Sequence, residues 1–430
     1  MMHNKANRRF SLILFFKLFV FYFLLAVGLS FLFEDRVAAF RMKELLDIAS
    51  ESFFFPNYGN TSADFQWYAN YIHYSTFGLH SFISNTRLVC AFSNSIWTSL
   101  AFCIFDWKVC RLNILLLTTS KLNILNFASL YCIACPSLLF YISSSLRDTF
   151  VFGIILILAS LLSINKFKFS IAYNLFCVFL LYVLYKTRPE MLPISVVSLG
   201  LLFSRNSISS FVANVSSLVS KLLSFRLPAI KISISKSIIL VLFISLAFAG
   251  GAYSLSRLTS LAKINPSSIF DSIDNYQVAR ISRNDTSTSS NSDILANTDE
   301  FKNTPLSRRI LLQFTNLVIT PLRFKFNPIQ LITLFDSILS IYLIFRLIII
   351  LLKKSRCNSH ISAHTAGSRS SLDFLLSFSL ISLMLFSLII SNGGNAFRYK
   401  QHWVIYLILY LVSNIKISER TTSRRAHASV

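Results

Sequence analysis

The chain has 430 residues, 54% of them hydrophobic and only 14% charged, where a soluble domain carries about a quarter charged residues. That balance excludes an ordinary soluble enzyme. A formal net charge of +23 accompanies it, but no soluble basic domain is visible, so the charge belongs to membrane-flanking segments and not to nucleic-acid binding.

In chain order, Lys5, Arg8 and Arg9 precede a first apolar run, about 10–33. It has no small-residue cleavage site before Glu34 and Asp35 and is expected to stay as a membrane span. Runs of this length exceed the roughly 18 apolar residues that cross a bilayer core, and lipid forces them to be helices. A wetter stretch, 34–85, follows, with a half-apolar aromatic piece, 67–82, that reads as interfacial or dipping into the membrane. Further spans are expected at about 86–105, 123–143, 149–165, 170–185 and from 191 to near 203. Residues 205–236 alternate serine with apolar residues, and Phe211, Val215, Leu218 and Leu222 recur at helical spacing beside lysines and arginines. This is the pattern of a basic amphipathic helix on a membrane surface. A seventh span is expected at 237–255, then a polar segment at 256–327, and three more spans at about 329–352, 372–391 and 402–416. The expected fold class is therefore all-α: one integral membrane domain over 1–430 with about ten spans.

One orientation satisfies the positive-inside rule at every loop. With the N-terminus inside, the N-tail, 106–122, 166–169, 205–236, 353–371 and the C-tail are cytoplasmic and basic. The other side receives 34–85, 144–148, 186–190, 256–327 and 392–401, which hold nearly all the acids. The seven cysteines fall in expected spans or cytoplasmic loops, so neither a disulfide framework nor a metal quartet follows. Cys132 and Cys135 form a CxxC inside an apolar run and read as core packing. His73 and His80 lack a third metal ligand in view.

Three short outer loops each set an arginine at a helix end: Arg147, Arg188 and Arg398. Positive charge there runs against the bias of the outer face, and charge near membrane depth usually meets a cavity or a partner. A guanidinium offers a planar fork of donors suited to phosphate oxygens. The alternative is local: Arg147 paired with Asp148, Arg188 with Glu190, and Arg398 an interfacial anchor with Tyr399 and Lys400. Asn392-Gly393-Gly394-Asn395 is expected to turn the chain at the membrane surface, with Arg398, Lys400 and His402 clustered beyond it. Glu34 and Asp35 either end the first span or serve as a metal or base site, and 256–327 is either a solvated loop or a lid over a site.

Ser145-Leu146-Arg147-Asp148, Thr187-Arg188-Pro189-Glu190 and Asn395-Ala396-Phe397-Arg398-Tyr399, each before a span, resemble motifs of bacterial O-antigen or capsule repeat-unit polymerases, as do the span number and the large late outer loop. The resemblance implies a multi-pass protein of the bacterial inner membrane. It would join undecaprenyl-pyrophosphate-linked oligosaccharides at the periplasmic face in lipopolysaccharide or capsule synthesis, without a metal or other cofactor. It further implies that Arg188, Arg398 and Arg147 stabilise the pyrophosphate leaving group, with Glu190, Asp148 or His402 as the base, in that order. Arg280, Arg283, Tyr399 and Lys400 are then expected to contact substrate, and a chain-length regulator is the expected protein partner. Two other functions remain open: a transferase using a polyprenyl-phosphate sugar, in which Glu34 and Asp35 would matter most, and a lipid-linked oligosaccharide flippase, against which the absence of two related halves argues.

Overall fold

The computed structural model describes residues 11–32, 42–48, 63–76, 85–109, 123–143, 147–162, 171–202, 304–319, 328–357, 366–389 and 393–428, and every regular element among them is an α-helix. The expected interfacial helix 205–236, the span 237–255, the acid pair Glu34–Asp35 and the loop arginines Arg280 and Arg283 lie outside the described residues.

In chain order the helices are α1 (Leu12–Leu32), α2 (42–48), α3 (Ala63–Ser75), α4 (Thr86–Lys108), α5 (Ile124–Ile133), α6 (Pro136–Ile142) and α7 (Asp148–Leu161). They continue with α8 (Ile171–Thr187), α9 (Met191–Leu202), α10 (Leu306–Val318), α11 (Pro328–Cys357), α12 (Ala366–Ile389) and α13 (Gly393–Ala428). Local chemistry sets the helix starts. Ser11 Oγ accepts from the Leu14 amide at 3.2 Å, and Asn85 caps α4 by accepting from the Arg87 and Leu88 amides. Asp148 opens α7, where the helix dipole favours a negative charge.

Two segments depart from the expected spans. The run 123–143 is not one helix but two, interrupted at Ala134–Cys135, because Pro136 has no amide to continue the ladder and opens α6 at its first position instead. Residues 393–400, expected as a surface loop, are the first turns of α13. Gly393 and Gly394 begin that helix, and the residues from Asn395 onward continue it without a break. Within the segment expected as a polar loop, α10 packs against α12 and α13 and buries Gln313, Asn316 and Leu317.

Among the described residues, five stretches are long and apolar enough to cross a membrane: Leu12–Leu29, Thr86–Lys108, Ile124–Ile142, Leu331–Leu352 and Ser370–Ser387. The distribution of polarity fits that solvent. The outer face of α11 shows Leu331, Phe335, Ile338, Tyr342 and Phe345, whereas its inner face buries Thr333, Asp336, Ser337 and Ser340. In water an apolar face of that extent would drive association. The inward serines and threonines mostly satisfy themselves. Ser95, Ser129, Ser160, Ser195, Ser198, Ser337 and Ser379 each donate to the carbonyl four residues earlier in the same helix.

Two packing centres organise the bundle. Around α4 gather α1, α3 and α7; around α13 gather α5, α6, α7, α10, α11 and α12. Helix α7 belongs to both. It packs close against α4 at Gly153, where an added Cβ would strike the Trp97 indole, whose Nε1 donates to the Phe150 carbonyl at 2.8 Å. One residue earlier, the Phe152 ring stacks on Tyr406 of α13 with centroids 5.2 Å apart and also meets Phe102 of α4. The N-terminus of α7 is thereby fixed beside the first turns of α13.

Candidate functional site

The site forms where three chain turns meet: the start of α7, the link between α8 and α9, and the start of α13. Pro189 disfavours helical geometry at the residue before it, so α8 stops at Thr187 and Arg188 stands in a turn, its amide bonded to the Leu184 carbonyl at 2.7 Å. On α13, Arg398 and His402 are four residues apart and share a face.

Asp148 is the hub. Its side chain is inaccessible, and Arg188 Nη2 lies 2.7 Å from Oδ1. Arg398 reaches Oδ2 with Nε at 2.7 Å and Nη2 at 2.6 Å. Arg188 also donates through Nη1 to Glu190 Oε1 at 2.8 Å and lies 3.4 Å from the Tyr399 hydroxyl. That hydroxyl is likewise 3.4 Å from Glu190 Oε1. Arg188 is therefore a fork between two carboxylates. Its burial works against the positive charge, but Asp148, Tyr399 and Glu190 outweigh burial and raise its pKa well above the ordinary arginine value. Two guanidiniums against two carboxylates leave this cluster formally balanced.

The remaining expected residues are placed as follows. Arg147, 9% exposed, occupies the N-cap position of α7 without capping it through its side chain. His402 Nε2 is 4.0 Å from Asp148 Oδ1, beyond hydrogen-bonding length, and its ring is wholly buried. Tyr399 stacks on Phe386 of α12, with centroids 4.3 Å apart. Lys400 turns the opposite way and is described with its own partners below. The accessible edge of the cluster consists of Arg398, with 21% of its side chain accessible, and Glu190 with 33%.

The geometry allows a division of labour. Asp148 orients two guanidinium planes from a position no solute reaches, while Arg398 is the cation of the cluster open to an incoming anion. Among the candidate bases, Glu190 alone of the two carboxylates is open to an approaching hydroxyl. Among the described residues, no group of three or more His, Cys, Asp or Glu residues is arranged to hold a metal.

No family model, no curated protein and no solved structure matches this chain.

The sequence reading overlooked Asp336 and Tyr131. Tyr131 on α5 donates to Asp336 Oδ1 at 2.6 Å, and Lys400 Nζ lies 2.9 Å from Asp336 Oδ2. The contact to Oδ2 is an ion pair, while the ammonium's aligned hydrogen bond goes to Ser337 Oγ at 3.0 Å. The signal was present: an aspartate inside an apolar run is costly and marks a function or a partner.

Proposed function

We propose that this chain is a multi-pass glycosyltransferase of the bacterial inner membrane that polymerises polyprenyl-pyrophosphate-linked oligosaccharide repeat units for a surface polysaccharide. One observation carries the reading: Arg188 and Arg398, far apart in sequence, converge on the buried Asp148 at one end of a helix bundle. Guanidiniums prearranged at membrane depth suit a lipid-linked pyrophosphate, because the lipid tail stays in the bilayer while the phosphates meet the accessible side of Arg398. Among the described residues, five membrane-length apolar stretches and three shorter apolar helices, Asp148–Leu161, Asn174–Thr187 and Met191–Leu202, support a multi-pass bundle. With 237–255 and 402–416 they make up ten spans, both termini and 205–236 being cytoplasmic and 256–327 periplasmic. The basic bias of one set of loops supports that orientation.

In this mechanism the donor pyrophosphate binds at the accessible edge of Arg398, beside Arg188. A hydroxyl of the acceptor unit attacks the anomeric carbon and passes its proton to Glu190. The bond from the anomeric carbon to the phosphate oxygen breaks, and the departing polyprenyl pyrophosphate carries its negative charge against the arginines. Asp148 holds the guanidiniums in place throughout. The decisive experiment is a deletion strain whose surface polysaccharide is resolved by size. A lipid core bearing a single repeat unit, in place of a ladder, is the expected result. A strain with no surface repeat unit at all would replace this reading with a flippase or an earlier transferase.

A further inference from the structure

Helix α13 carries charged residues on two opposite sides. At about 100° per residue, His402 and Tyr406 follow Arg398 within about 80°, whereas Lys400 lies about 200° round the axis. The first side faces α7. Arg398 contacts Asp148, and one turn beyond His402 the Tyr406 hydroxyl donates to the Phe152 carbonyl at 3.0 Å. The second side faces α11 and α5. There Lys400 meets Asp336 and Ser337, and Asp336 accepts from Tyr131. Lys400 and Asp336 are both wholly buried.

We propose that Lys400, Asp336 and Tyr131 form a register lock that sets the rotation of α13 and so aims Arg398 and His402 at Asp148. Apolar ridges on a helix are nearly interchangeable, and cores tolerate extensive swaps among them. Charges are not. Turning α13 by one residue would withdraw Lys400 from Asp336 and Arg398 from Asp148 together, leaving charges unpaired in a low-dielectric interior. Fixing registry is the best attested use of a buried polar contact, and an acid inside an apolar span is retained for a specific role. Lys400 is thus a positioning residue, acting through Arg398 and not on substrate. The inference uses the proposed role of the arginines only for its effect on activity; the effect on geometry is independent of it.

The test reads both. In a chain whose native cysteines are replaced by alanine, Phe152→Cys with Tyr406→Cys reports the α7–α13 register through cross-linking in membranes by a short bifunctional thiol reagent. Adding Lys400→Met with Asp336→Leu, which removes both charges, should lower the cross-linking yield several-fold at unchanged abundance. The exchanged pair, Lys400→Asp with Asp336→Lys, should recover it. In the otherwise native chain the apolar pair should lose about 10²-fold in polymerisation, the scale of a misplacement of about 1 Å in a catalytic constellation. Cross-linking and polymer at parental levels in the apolar pair would overturn the lock, because the two charges would then only neutralise each other. If the apolar pair fails to accumulate, the exchanged pair decides, and its accumulation without cross-linking is equally fatal. Reduced cross-linking with an intact ladder would uphold the lock and remove the arginines from the proposed chemistry.

Discussion

Replacing Asp148 by asparagine keeps the shape of the hub and removes its charge. In the native arrangement the carboxylate accepts hydrogen bonds from Arg188 Nη2 and Arg398 Nε, each at 2.7 Å, and Arg398 Nη2 adds an ion contact at 2.6 Å. Asparagine has one oxygen to offer, and its amide presents donors to a guanidinium that is itself only a donor. Each charge-assisted hydrogen bond contributes about 1.5–3 kcal/mol. The Arg188 contact is nearly inaccessible and keeps its full value, whereas solvent replaces part of the Arg398 contact. The expected loss is therefore about 3–5 kcal/mol, the range for breaking a buried pair by removing one partner. Against a total stability of about 5–15 kcal/mol this is severe. Unfolding in detergent, followed by a fluorescent thiol probe, measures it, and a second variant makes the reasoning falsifiable. Asp148→Asn with Arg188→Met should be more stable than Asp148→Asn alone, because it also removes a buried guanidinium that has lost one of its two carboxylates, and the remaining one, Glu190, is one-third exposed and can turn to solvent. An Asp148→Asn chain within about 1 kcal/mol of the parent, or a double variant that loses the full sum of both singles, would refute the hub.

Arg188→Lys should cost more than Arg398→Lys, because Arg188 serves Asp148 and Glu190 at once and a lysine reaches one of them. One lost contact of about 1.5–3 kcal/mol corresponds to roughly ten- to a hundred-fold in rate, and a full-length ladder from both lysine variants at parental abundance would end the phosphate-clamp proposal. Gly153→Ala drives a methyl into the Trp97 indole and should lower stability by about 1–3 kcal/mol, read as a lower melting temperature; an unchanged melt would mean that α4 and α7 can separate freely. Cysteine introduced at Ser289 should label from outside an intact inner membrane, and at Ser423 only after permeabilisation; the reverse pattern inverts the orientation.

The apolar runs made most of the helices legible, since a stretch such as 329–352 has no other means of satisfying its backbone in lipid. The start of α13 was not, because Gly393-Gly394 signals a turn locally, and only the i, i+4 spacing of Arg398, His402 and Tyr406 indicates a helix. The break before Pro136 was readable from the proline alone. At the site, the sequence offered Arg188 with Glu190 as a local pair, and that pair is present. It also offered Asp148 as a partner for its neighbour Arg147, whereas the carboxylate joins Arg188 and Arg398, from two distant turns. Periodicity along one helix carries no information about which distant turn it meets, so that convergence had to come from packing. Asp336 was visible as an acid in a span, but its link to Lys400 was hidden for the same reason.

The self-bonded serines and the two ionic clusters assign different moments to the making of this protein. A serine that donates to its own helix is satisfied before any neighbour arrives, so α4, α7 and α12 can enter the bilayer singly without an orphaned hydroxyl at those positions. Asp148 and Asp336 have no such independence. Their cations Arg398 and Lys400 both belong to α13, which follows α1–α12 in the chain. During synthesis the ribosome therefore delivers these two cations after α1–α12 are already made. Bundle closure waits for that delivery, and a chain truncated before Gly393 would leave Asp336 without its cation and Asp148 with only Arg188, which marks unfinished copies as distinct from finished ones.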